Sequence, residues 1–471
     1  MKRVLAGLKP ERVFEIFEDI CAIPHGSGNT KKISDYCVEF ARKRGLFALQ
    51  DEMNNVIIKK PASAGYENSP AVVLQGHLDM VCEKEPGLEF DFERDGLKLK
   101  VEGDRISATG TTLGGDDGVA ICIALAVLED KTLKTPPLEV IFTSDEETGM
   151  YGAKALDASN ITAKRIISLD CGCEGAFTAG CAGGVCVAVN IPAKTERAIL
   201  PAYKVEVSGL AGGHSGEEID KGRLNANKVL GEFLSTLKDV RISDISGGEK
   251  DNAIPVFATC TFSCRGDAAD RANEFSKQIA TPADKGLKIT VASQNADVFC
   301  TADTSKKIIG LICETPNGIQ AMSEDIKGVV KTSLNLGVMG IKDGDFCALF
   351  NVRSSVAAEK EALKNKIIGI GNRFGATASA FGDYPAWEYR KDSPLRSTMM
   401  SVFKKEYGRE PIIRVIHAGL ECGIFSGKID GIDAIAMGPD MFDIHTSRES
   451  FSISSLSRTY DYVCKVLEAL L

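Results

Sequence analysis

Histidines and carboxylates that can bind metal ions follow several apolar runs of this chain. Only five histidines occur among its 471 residues. His77 comes shortly after the apolar run Ala71-Val72-Val73-Leu74, and His445 lies in Asp443-Ile444-His445-Thr446. Between them, the acidic candidates are Asp116, Glu146, Glu147 and Asp170. Imidazole and carboxylate groups are ligands that zinc and similar divalent ions prefer, so these residues predict a site for two such ions.

The spacing within two of these segments indicates separate roles for neighbouring side chains. In His77-Leu78-Asp79 the two polar side chains share one face of an extended segment. Asp79 is therefore expected to accept the imidazole N–H and fix the tautomer. The adjacent side chains of Glu146 and Glu147 diverge, so one can bind metal while the other faces the substrate as a general base. A metal lowers the pKa of its bound water, and a nearby carboxylate can then take the proton.

Each of these segments also has an ordinary structural interpretation. Asp145-Glu146-Glu147 also fits a solvated loop or helix start, and Asp116-Asp117-Gly118 fits a turn with an N-cap. A single histidine after a strand is more often structural than a ligand. The occurrence of all these segments in order, each after an apolar run, favours the metal interpretation. Cys171 and Cys173, beside Asp170, are either ligands of a soft metal or buried thiols.

The composition is that of a globular chain without nucleic-acid or membrane partners. An apolar fraction of 44% and a charged fraction of 26% allow a large core. The length suggests about three domain-sized units. A net charge of -9 argues against nucleic acid. No apolar run is long enough to span a bilayer, and the stretch at residues 4–8 is too short for a signal peptide. The fifteen cysteines are therefore expected to be reduced thiols in a cytoplasmic protein.

Short apolar runs, each followed by a polar or glycine-rich segment, predict an α/β fold with a mostly parallel mixed sheet. The predicted strands are Asn55-Val56-Ile57-Ile58 and residues 71–74, 138–142 and 165–169. Residues 118–128 are apolar nearly all round, which predicts a buried helix against that sheet. Because ligands gather beyond the carboxyl ends of strands in open α/β sheets, the candidate metal ligands are expected to converge there.

The pattern changes near residue 190 and returns to α/β after residue 384. Residues 203–208 alternate as a half-exposed strand does, and a helix near 225–237 and a strand near 256–262 follow. Thr261-Phe262-Ser263-Cys264-Arg265 resembles Leu349-Phe350-Asn351-Val352-Arg353, which indicates an internal duplication. We therefore predict a discontinuous catalytic domain interrupted by an α+β domain. The predicted limits are 1–190 and 385–471 for the catalytic domain and 191–384 for the inserted domain.

Seven short segments along the chain together resemble one known family. They are Gln75-Gly76-His77-Leu78-Asp79-Met80-Val81, Thr111-Thr112-Leu113-Gly114-Gly115-Asp116-Asp117-Gly118, Thr143-Ser144-Asp145-Glu146-Glu147-Thr148-Gly149-Met150, Gly180-Cys181-Ala182-Gly183-Gly184, Gly209-Leu210-Ala211-Gly212-Gly213-His214-Ser215-Gly216, Gly222-Arg223-Leu224-Asn225-Ala226-Asn227 and His417-Ala418-Gly419-Leu420-Glu421-Cys422-Gly423. This set resembles the di-zinc metallopeptidases that include dipeptidases, aminoacylases and succinyl-diaminopimelate desuccinylase. Within that family it resembles the aminoacyl-histidine (Xaa-His) dipeptidases of the peptidase D type.

The resemblance implies a role for each matching residue of the predicted catalytic domain. His77 and Asp170 would bind one metal ion. Glu147 and His445 would bind the other, and Asp116 would bridge both. Glu146 would be the general base, and Asp79 would orient His77. The ions implied are zinc, although manganese and cobalt suit similar sites.

The resemblance also implies substrate-binding residues in the inserted domain, which is a lid in this family. His214 would help hold the oxyanion, Asn252 would contact the substrate, and Arg353 would receive its C-terminal carboxylate, which a guanidinium matches bidentately. Apart from the family, the His214 segment is an ordinary loop and Arg353 a surface arginine at a strand end. His417 is either a substrate-pocket residue or a packed loop histidine.

Three segments depart from the family pattern. Gly115 stands where relatives often have alanine, and Asp170-Cys171-Gly172-Cys173 lacks the usual acidic continuation. His445-Thr446-Ser447-Arg448-Glu449 replaces the more usual His-Ser-Pro-Asp-Glu. The metal ligands are all kept, and the departures bear on the preference for histidine.

The expected activity is hydrolysis of dipeptides, Xaa-His dipeptides such as β-alanyl-histidine first, by a metal-bridging water with Glu146 as general base. The alternatives are another amide hydrolase of the same superfamily, such as a broad dipeptidase or an N-acyl amino acid deacylase, and more distantly a non-catalytic metal- or peptide-binding protein. Neither G-x-G-x-x-G nor G-x-x-x-x-G-K-[ST] occurs, which argues against a nucleotide-binding enzyme. The partner is a small peptide, and a homodimer is left open.

Overall fold

The computed structural model describes residues 3–471, which divide into two compact units. The first unit comprises residues 3–180, Tyr389–Val415 and Leu420–Leu471, and the second comprises Cys181–Glu388 and Ile416–Gly419. The first unit is therefore discontinuous in sequence, and a short segment around residue 417 belongs to the second. The predicted domain limits at residues 190 and 384 stay predictions beside these unit limits.

The first stretch of the first unit alternates helices with strands. Its helices are α1 (Glu11–Cys21), α2 (Lys31–Lys43), α3 (Gly115–Glu129) and α4 (Tyr151–Ala155). Its strands are β1 (Phe47–Gln50), β2 (Val56–Lys60), β3 (Val72–His77), β4 (Leu99–Glu102), β5 (Arg105–Ala108), β6 (Leu138–Thr143), β7 (Arg165–Ser168) and β8 (Ala176–Cys181).

The second unit contains most of the strands. They are β9 (Gly183–Pro192), β10 (Thr195–Arg197), β11 (Ala202–Ser208), β12 (Lys238–Gly247), β13 (Ala258–Arg265), β14 (Lys288–Gln294), β15 (Val298–Cys300), β16 (Gly318–Met322), β17 (Val330–Lys342), β18 (Asp345–Ser354) and β19 (Thr377–Tyr384). Its helices are α5 (Ala226–Ser235), α6 (Ala268–Ile279), α7 (Ala302–Glu314) and α8 (Ala357–Arg373).

The last stretch of the chain completes the first unit. Its helices are α9 (Pro394–Tyr407), α10 (Glu421–Lys428) and α11 (Ile453–Ala469). Its strands are β20 (Ile412–Ile416), β21 (Asp433–Ala436), β22 (Met441–Phe442) and β23 (Ser450–Ser452). Within residues 3–471, no helix combines the length and apolar composition needed to cross a bilayer.

The main sheet of the first unit has eight strands in the order β1-β2-β6-β3-β7-β21-β8-β20. The central pairs β6·β3, β3·β7 and β7·β21 are parallel, whereas β1·β2, β2·β6 and β21·β8 are antiparallel. Every residue of β3 and β6 is buried, which explains why these strands are read as continuous apolar runs. The α/β class with a mixed sheet is confirmed, with parallel pairing at its centre.

The apolar segment at residues 118–128 is a fully buried part of α3. On one side α3 contacts β3, and elsewhere it contacts α1 and α11. Gly118 allows the close approach of α1, because a Cβ there would lie 3.1 Å from the ring of Phe17. A helix covered by both a sheet and other helices has no solvent face, which is why it lacks a polar stripe.

A nine-stranded sheet forms the second unit, and it contains two similar halves. One half has the strand order β14-β11-β13-β12 and the other β19-β9-β18-β17, and they join through the antiparallel pair β12·β17. Helix α6 contacts β14 of the first half and α8 contacts β9, β18 and β19 of the second, whereas α5 and α7 contact strands of both halves. The two five-residue segments that resemble each other lie on the equivalent strands β13 and β18. The topology thus carries the duplication that those segments indicated.

A small four-stranded sheet, in the order β22-β23-β5-β4, belongs to the first unit and was not predicted. Its β22·β23 hairpin pairs Met441 with Phe451 and Phe442 with Ser450. Residues 443–449 therefore form a loop that this hairpin closes. His445 lies in that loop, and its backbone is left-handed with φ 63°.

Candidate metal centre

The predicted metal ligands meet at the carboxyl ends of the three central parallel strands. His77 is the last residue of β3 and is paired in register with Thr143, the last residue of β6. Glu146 and Glu147 follow β6 closely, and Asp170 follows β7 by two residues. Parallel strands end at the same edge of a sheet, so side chains distant in sequence become neighbours there.

Asp116 shares its carboxylate between the two histidines. Its Oδ1 lies 3.1 Å from Nε2 of His77, and its Oδ2 lies 3.5 Å from Nε2 of His445. The same His445 nitrogen lies 2.8 Å from Oε1 of Glu147. The side chains of His77, Asp116 and Glu147 are 1%, 15% and 8% exposed, whereas that of His445 is 50% exposed. One face of the centre is therefore open at His445.

The backbone at Asp116 is irregular because two loops hold it. Asp116 and Asp117 have non-helical backbone angles inside the α3 bounds, and the peptide bond between them is cis. The buried carboxylate of Glu449 accepts four consecutive backbone N–H groups, at distances between 2.8 and 3.2 Å. The donors are Leu113, Gly114, Gly115 and Asp116. Glu449 thereby fixes the Asp116 loop to the loop that carries His445.

Asp79 holds the turn that carries the two glutamates and also lies beside the ring of His77. Its carboxylate accepts the backbone N–H of Glu146 at 3.0 Å and that of Glu147 at 3.3 Å, and the Ser27 hydroxyl at 2.7 Å. His77 Nδ1 lies 2.9 Å from the backbone oxygen of Asp79 and 3.6 Å from its carboxylate. The orienting contact of His77 is thus the carbonyl of Asp79. The physical reason is that Asp79 lies beyond the end of β3, where strand alternation no longer sets side-chain direction.

Glu421 is a further buried acid beside these strand ends. Its Oε2 accepts Gln75 Nε2 from β3 and Thr143 Oγ1 from β6, both at 2.6 Å. Its Oε1 is buried without a hydrogen-bond partner. Burial raises the pKa of Glu421 to about 8. Glu421 therefore joins the two strands whose ends carry His77 and Glu146.

The carboxylates of the centre are crowded and weakly solvated. Burial raises the pKa of Glu146 well above its ordinary value; His77 opposes this rise and Asp170 adds to it. Burial and the negative charge of Asp116 raise the pKa of Asp170 to about 7. Hydrogen bonds to Asp116 and Glu147 raise the pKa of His445 to about 10. Each of these shifts reports excess negative charge in a site of low polarity, which a divalent cation would neutralise.

The donor set fits two divalent ions. Three groups have ligand atoms within 4.8 Å of one another. They are His77–Asp116–Asp170, Asp116–Glu147–His445 and His77–Glu146–Glu147. The first two share Asp116, and both combine imidazole nitrogen with carboxylate oxygen, as zinc, manganese or cobalt sites do. None of the three groups, drawn from residues 3–471, includes a cysteine. Burial raises the pKa of Cys171 to about 11, which keeps that thiol protonated.

The four predicted substrate-binding residues lie together in the second unit. His214 and Ala253 form a β-bridge, and Ser215 donates its N–H to the Asn252 carbonyl at 2.8 Å. Glu217 donates its backbone N–H to Nδ1 of His214 at 3.1 Å, so the neutral ring carries its proton on Nε2. Burial and the charge of Arg353 lower the pKa of His214, which favours that neutral ring.

Arg353 and His417 share the neighbourhood of Ser333. Ser333 is paired with Arg353 in register, and its hydroxyl lies 2.7 Å from Nε2 of His417. Arg353 donates to the Tyr384 hydroxyl at 3.0 Å. Tyr384 can lie there because Gly184 has no side chain: a Cβ would be 2.5 Å from the tyrosine ring. A cavity of about 1050 Å³ in the same unit, lined by parts of α5, β12, β13 and α7, contains none of these residues.

Sequence reasoning missed the residues that act through hydrogen bonds to the backbone or to other side chains. They are Ser27, Ser333, Tyr384, Glu421 and Glu449. Glu421 and Glu449 each stand inside a segment that the family resemblance singled out, which was the available signal. The hydroxyl residues had no signal in the sequence, because their partners are more than 30 residues away.

Comparisons with known proteins place the chain among peptidases. The model of peptidase family M20/M25/M40 matches residues 73–469. The chain is 35% identical to the cytosol non-specific dipeptidase of Escherichia coli K12, with 99% of each chain covered. It is 33% identical to the solved aminoacylhistidine dipeptidase of Vibrio alginolyticus, with a TM-score of 0.92 and coverage of 99% and 98%. The aminopeptidase PepT of Bacillus cereus, 16% identical with a TM-score of 0.58, shares the fold across 98% and 99% of the chains.

The family match covers far more than half of the chain, and it includes every predicted metal ligand. The full-length relative and the solved structure both agree in fold and in extent. The expected resemblance to di-metal peptidases is therefore confirmed at the level of the family. The chain belongs to peptidase family M20/M25/M40, and it is a hydrolase of the metallopeptidase class.

Proposed function

We propose that the protein is a metal-dependent dipeptidase that hydrolyses dipeptides with a free C-terminal carboxylate, Xaa-His dipeptides among them. The observation that carries the proposal is the shared carboxylate of Asp116, with one oxygen towards His77 and the other towards His445. A shared carboxylate supports two ions close together, an arrangement suited to peptide hydrolysis. Glu146, next in sequence to Glu147, supplies the acid–base group.

The chemistry divides between the ions and the residues around them. Two divalent ions, zinc in our proposal, would be held by His77, Asp116, Glu147, Asp170 and His445 and would polarise the scissile carbonyl and activate water. Glu146 accepts a proton from the water that attacks the carbonyl carbon. When the C–N bond breaks, Glu146 returns that proton to the leaving amine nitrogen. The Asp79 carboxylate keeps Glu146 in place by accepting the backbone N–H of Glu146.

The second unit supplies groups for the substrate. His214 carries its proton on Nε2 and would donate it as a hydrogen bond to the oxyanion. Arg353 would bind the C-terminal carboxylate, with Tyr384 holding the guanidinium. Asn252 and His417, which lie beside these two residues, would contact the peptide.

We also propose that the protein works in the cytosol. Fifteen cysteines in a chain of this length are expected to be reduced thiols, as in proteins of reducing compartments, and one relative is named a cytosol dipeptidase. A homodimer stays a prediction.

The test is turnover of a substrate panel by purified protein. The panel contains β-alanyl-histidine, alanyl-histidine, alanyl-leucine and N-acetyl amino acids. Each substrate is measured after chelation, and again after zinc or manganese is added back. Glu146→Gln, loaded in the same way, is the control for catalysis at this centre. We expect dipeptide cleavage that chelation removes, that metal restores and that Glu146→Gln lacks.

Other outcomes would assign the centre differently. Cleavage of N-acetyl amino acids alone would make the protein a deacylase. Tight metal binding with no turnover of any substrate would indicate a metal- or peptide-binding protein. Turnover that survives both chelation and Glu146→Gln would overturn the proposal.

A further inference from the structure

One face of strand β18 carries Arg353 and, beside it, polar residues that the proposed reaction does not use. Phe350 and Val352 of β18 are fully buried in the apolar core of the second unit. Because residues alternate along a strand, Asn351 and Arg353 lie on the opposite face. Register places four further residues beside Asn351 and Arg353: Ser333, Asn335, Gly184 and Cys186.

Two of these side chains are buried and have an unpartnered polar atom. Arg353 is 7% exposed and its Nε has no hydrogen-bond partner. Asn351 is 8% exposed and its Oδ1 has none either. The orientation of the Asn351 amide is set by Asp251, because a carboxylate can only accept from Nδ2 and leaves Oδ1 facing away. Buried polar atoms are normally paired, so this face lacks one donor and one acceptor that a ligand can supply.

Asp251 adds a negative charge beside Asn351. Its Oδ2 accepts Asn351 Nδ2 and Cys186 Sγ, both at 2.9 Å. Burial alone would raise the pKa of Asp251, but these two hydrogen bonds lower it, so the group is ionised at neutral pH. Among the residues that the structure describes, no basic side chain forms an ion pair with Asp251.

The position of Asp251 is fixed by its backbone. Asn335 Nδ2 donates to the Asp251 carbonyl at 3.0 Å. Gly337 lets this backbone approach β17, because a Cβ there would lie 2.5 Å from Cα of Asp251. The carboxylate is thus held at one place over the sheet rather than on a free loop.

The spacing of these groups matches one amino acid residue. Asn351 and Arg353 are two residues apart on an extended strand, which is roughly 7 Å along its axis. A C-terminal residue whose carboxylate meets Arg353 can therefore direct its side chain towards Asn351 and Asp251. We propose that Asp251, with Asn351, is the specificity-determining residue for the C-terminal side chain and selects side chains that donate a hydrogen bond, imidazole in particular. This inference rests on the proposed dipeptidase function.

The selection works because an apolar side chain leaves these groups unpaired. Histidine and phenylalanine have rings of similar shape, but only imidazole has an N–H for Asp251 or for Asn351 Oδ1. When the ligand lacks an N–H, the half-buried charge of Asp251 loses a charge-assisted hydrogen bond and the buried Oδ1 of Asn351 stays unpaired. We expect about a tenfold to hundredfold preference in kcat/KM for alanyl-histidine over alanyl-phenylalanine.

The experiment compares these two substrates in metal-loaded wild-type protein and in Asp251→Asn. Asparagine keeps the size of the side chain and removes its charge. We expect kcat/KM for alanyl-histidine to fall about tenfold or more while that for alanyl-phenylalanine changes less than about threefold. Asp239→Asn is the matched control, because it removes one negative charge from an exposed side chain of the same unit. Asp239→Asn should leave kcat/KM unchanged for both substrates.

The outcomes separate this inference from the proposed function. If Asp251→Asn lowers kcat/KM equally for both dipeptides, Asp251 has a merely structural role and the inference is overturned. Wild-type protein that cleaves both dipeptides equally well would overturn it even if the variant does not fold. Wild-type protein that cleaves neither dipeptide, when loaded with metal, would instead refute the dipeptidase function itself.

Discussion

The Asp79 carboxylate accepts the backbone N–H of Glu146 at 3.0 Å, while the imidazole of His77 meets the backbone carbonyl of Asp79. One residue thus connects the proposed metal ligand on β3 with the turn after β6 that carries the proposed general base. The carboxylate is buried and also accepts from Ser27. Burial would raise the pKa of Asp79, but His77 and, after it, the hydrogen bonds from Ser27 and Glu146 outweigh burial and lower that pKa to about 2.

Asp79→Asn should lower kcat more than it lowers metal affinity. The asparagine amide keeps one acceptor oxygen and replaces the other with an NH2 group that faces a donor, so the Glu146 turn loses part of its anchor. A charge-assisted hydrogen bond is worth about 1.5–3 kcal/mol, so we expect kcat to fall roughly 10- to 100-fold. Ser27→Ala is the matched control, since it removes one partner and keeps the carboxylate; its kcat should fall much less. Equal effects of the two variants would contradict the role given to Asp79.

Glu146 and Glu147 are adjacent, yet substituting Glu146 should affect kcat and substituting Glu147 should affect metal binding. Glu146→Gln removes the proton acceptor and should lower kcat by roughly 10² to 10⁴ with the metal content unchanged. Glu147→Gln should instead weaken metal binding, because Glu147 lies 2.8 Å from His445 Nε2 in the Asp116 group. Metal analysis after dialysis, together with steady-state kinetics, distinguishes the two. If Glu146→Gln loses its metal as readily as Glu147→Gln, the assignment of the base is wrong.

Glu449→Gln should weaken metal binding. The four N–H groups that Glu449 accepts include that of Asp116 itself, and a glutamine offers only one acceptor oxygen. Residues that hold metal ligands in place typically contribute about 10- to 100-fold in metal affinity. The measurement is a competition titration with a chromophoric chelator.

Glu139→Gln is the matched control for Glu449→Gln. Glu139 is 3% exposed and accepts the backbone N–H groups of Thr162 and Ala163. It lies in the same unit, at the end of β6 that is far from Glu146 and Glu147. Both variants should lose stability to a similar extent, whereas only Glu449→Gln should lose metal affinity. A loss of affinity in both would show that general loosening of the unit is the cause.

His417 should make the protein less stable in mild acid. Burial, with the charge of Arg353 adding to it, lowers the pKa of His417 to about 4. An unfolded histidine has a pKa of about 6.5, so below that pH the unfolded chain binds a proton that the folded protein excludes. The free energy of unfolding therefore decreases as pH falls from 6.5 to 4. The decrease due to His417 is about 2 kcal/mol at pH 5.

The check is denaturant unfolding at pH 8 and pH 5 of wild-type protein and His417→Gln. Glutamine keeps a polar group within reach of Ser333 but does not titrate. The wild type should lose more stability between the two pH values than the variant, and the difference isolates His417 from other titrating groups. If the wild type and the variant lose the same free energy of unfolding, the pKa of His417 is not lowered in the folded protein.

Much of the fold and of the metal centre was predictable because it depends on local patterns. The buried strands β3 and β6 are read directly from continuous apolar runs, and helix α3 from an apolar segment of helical length. His77, Glu146 and Asp170 stand just after such runs, and parallel strands bring their ends to one edge. Order along the chain is therefore enough to indicate a candidate metal centre.

The amino-acid pattern alone is enough to identify the residue types of the proposed ligands, the strands that precede them and the family. The tertiary structure decided how those ligands are held: Glu449 against a loop 333 to 336 residues away, and Glu421 against Gln75 and Thr143. It also decided that Asp79 anchors the Glu146 turn, and that Asp251 meets Cys186 and Asn351. The reason is physical: a hydrogen bond between distant segments depends on how the sheets and loops pack, and no local periodicity encodes it.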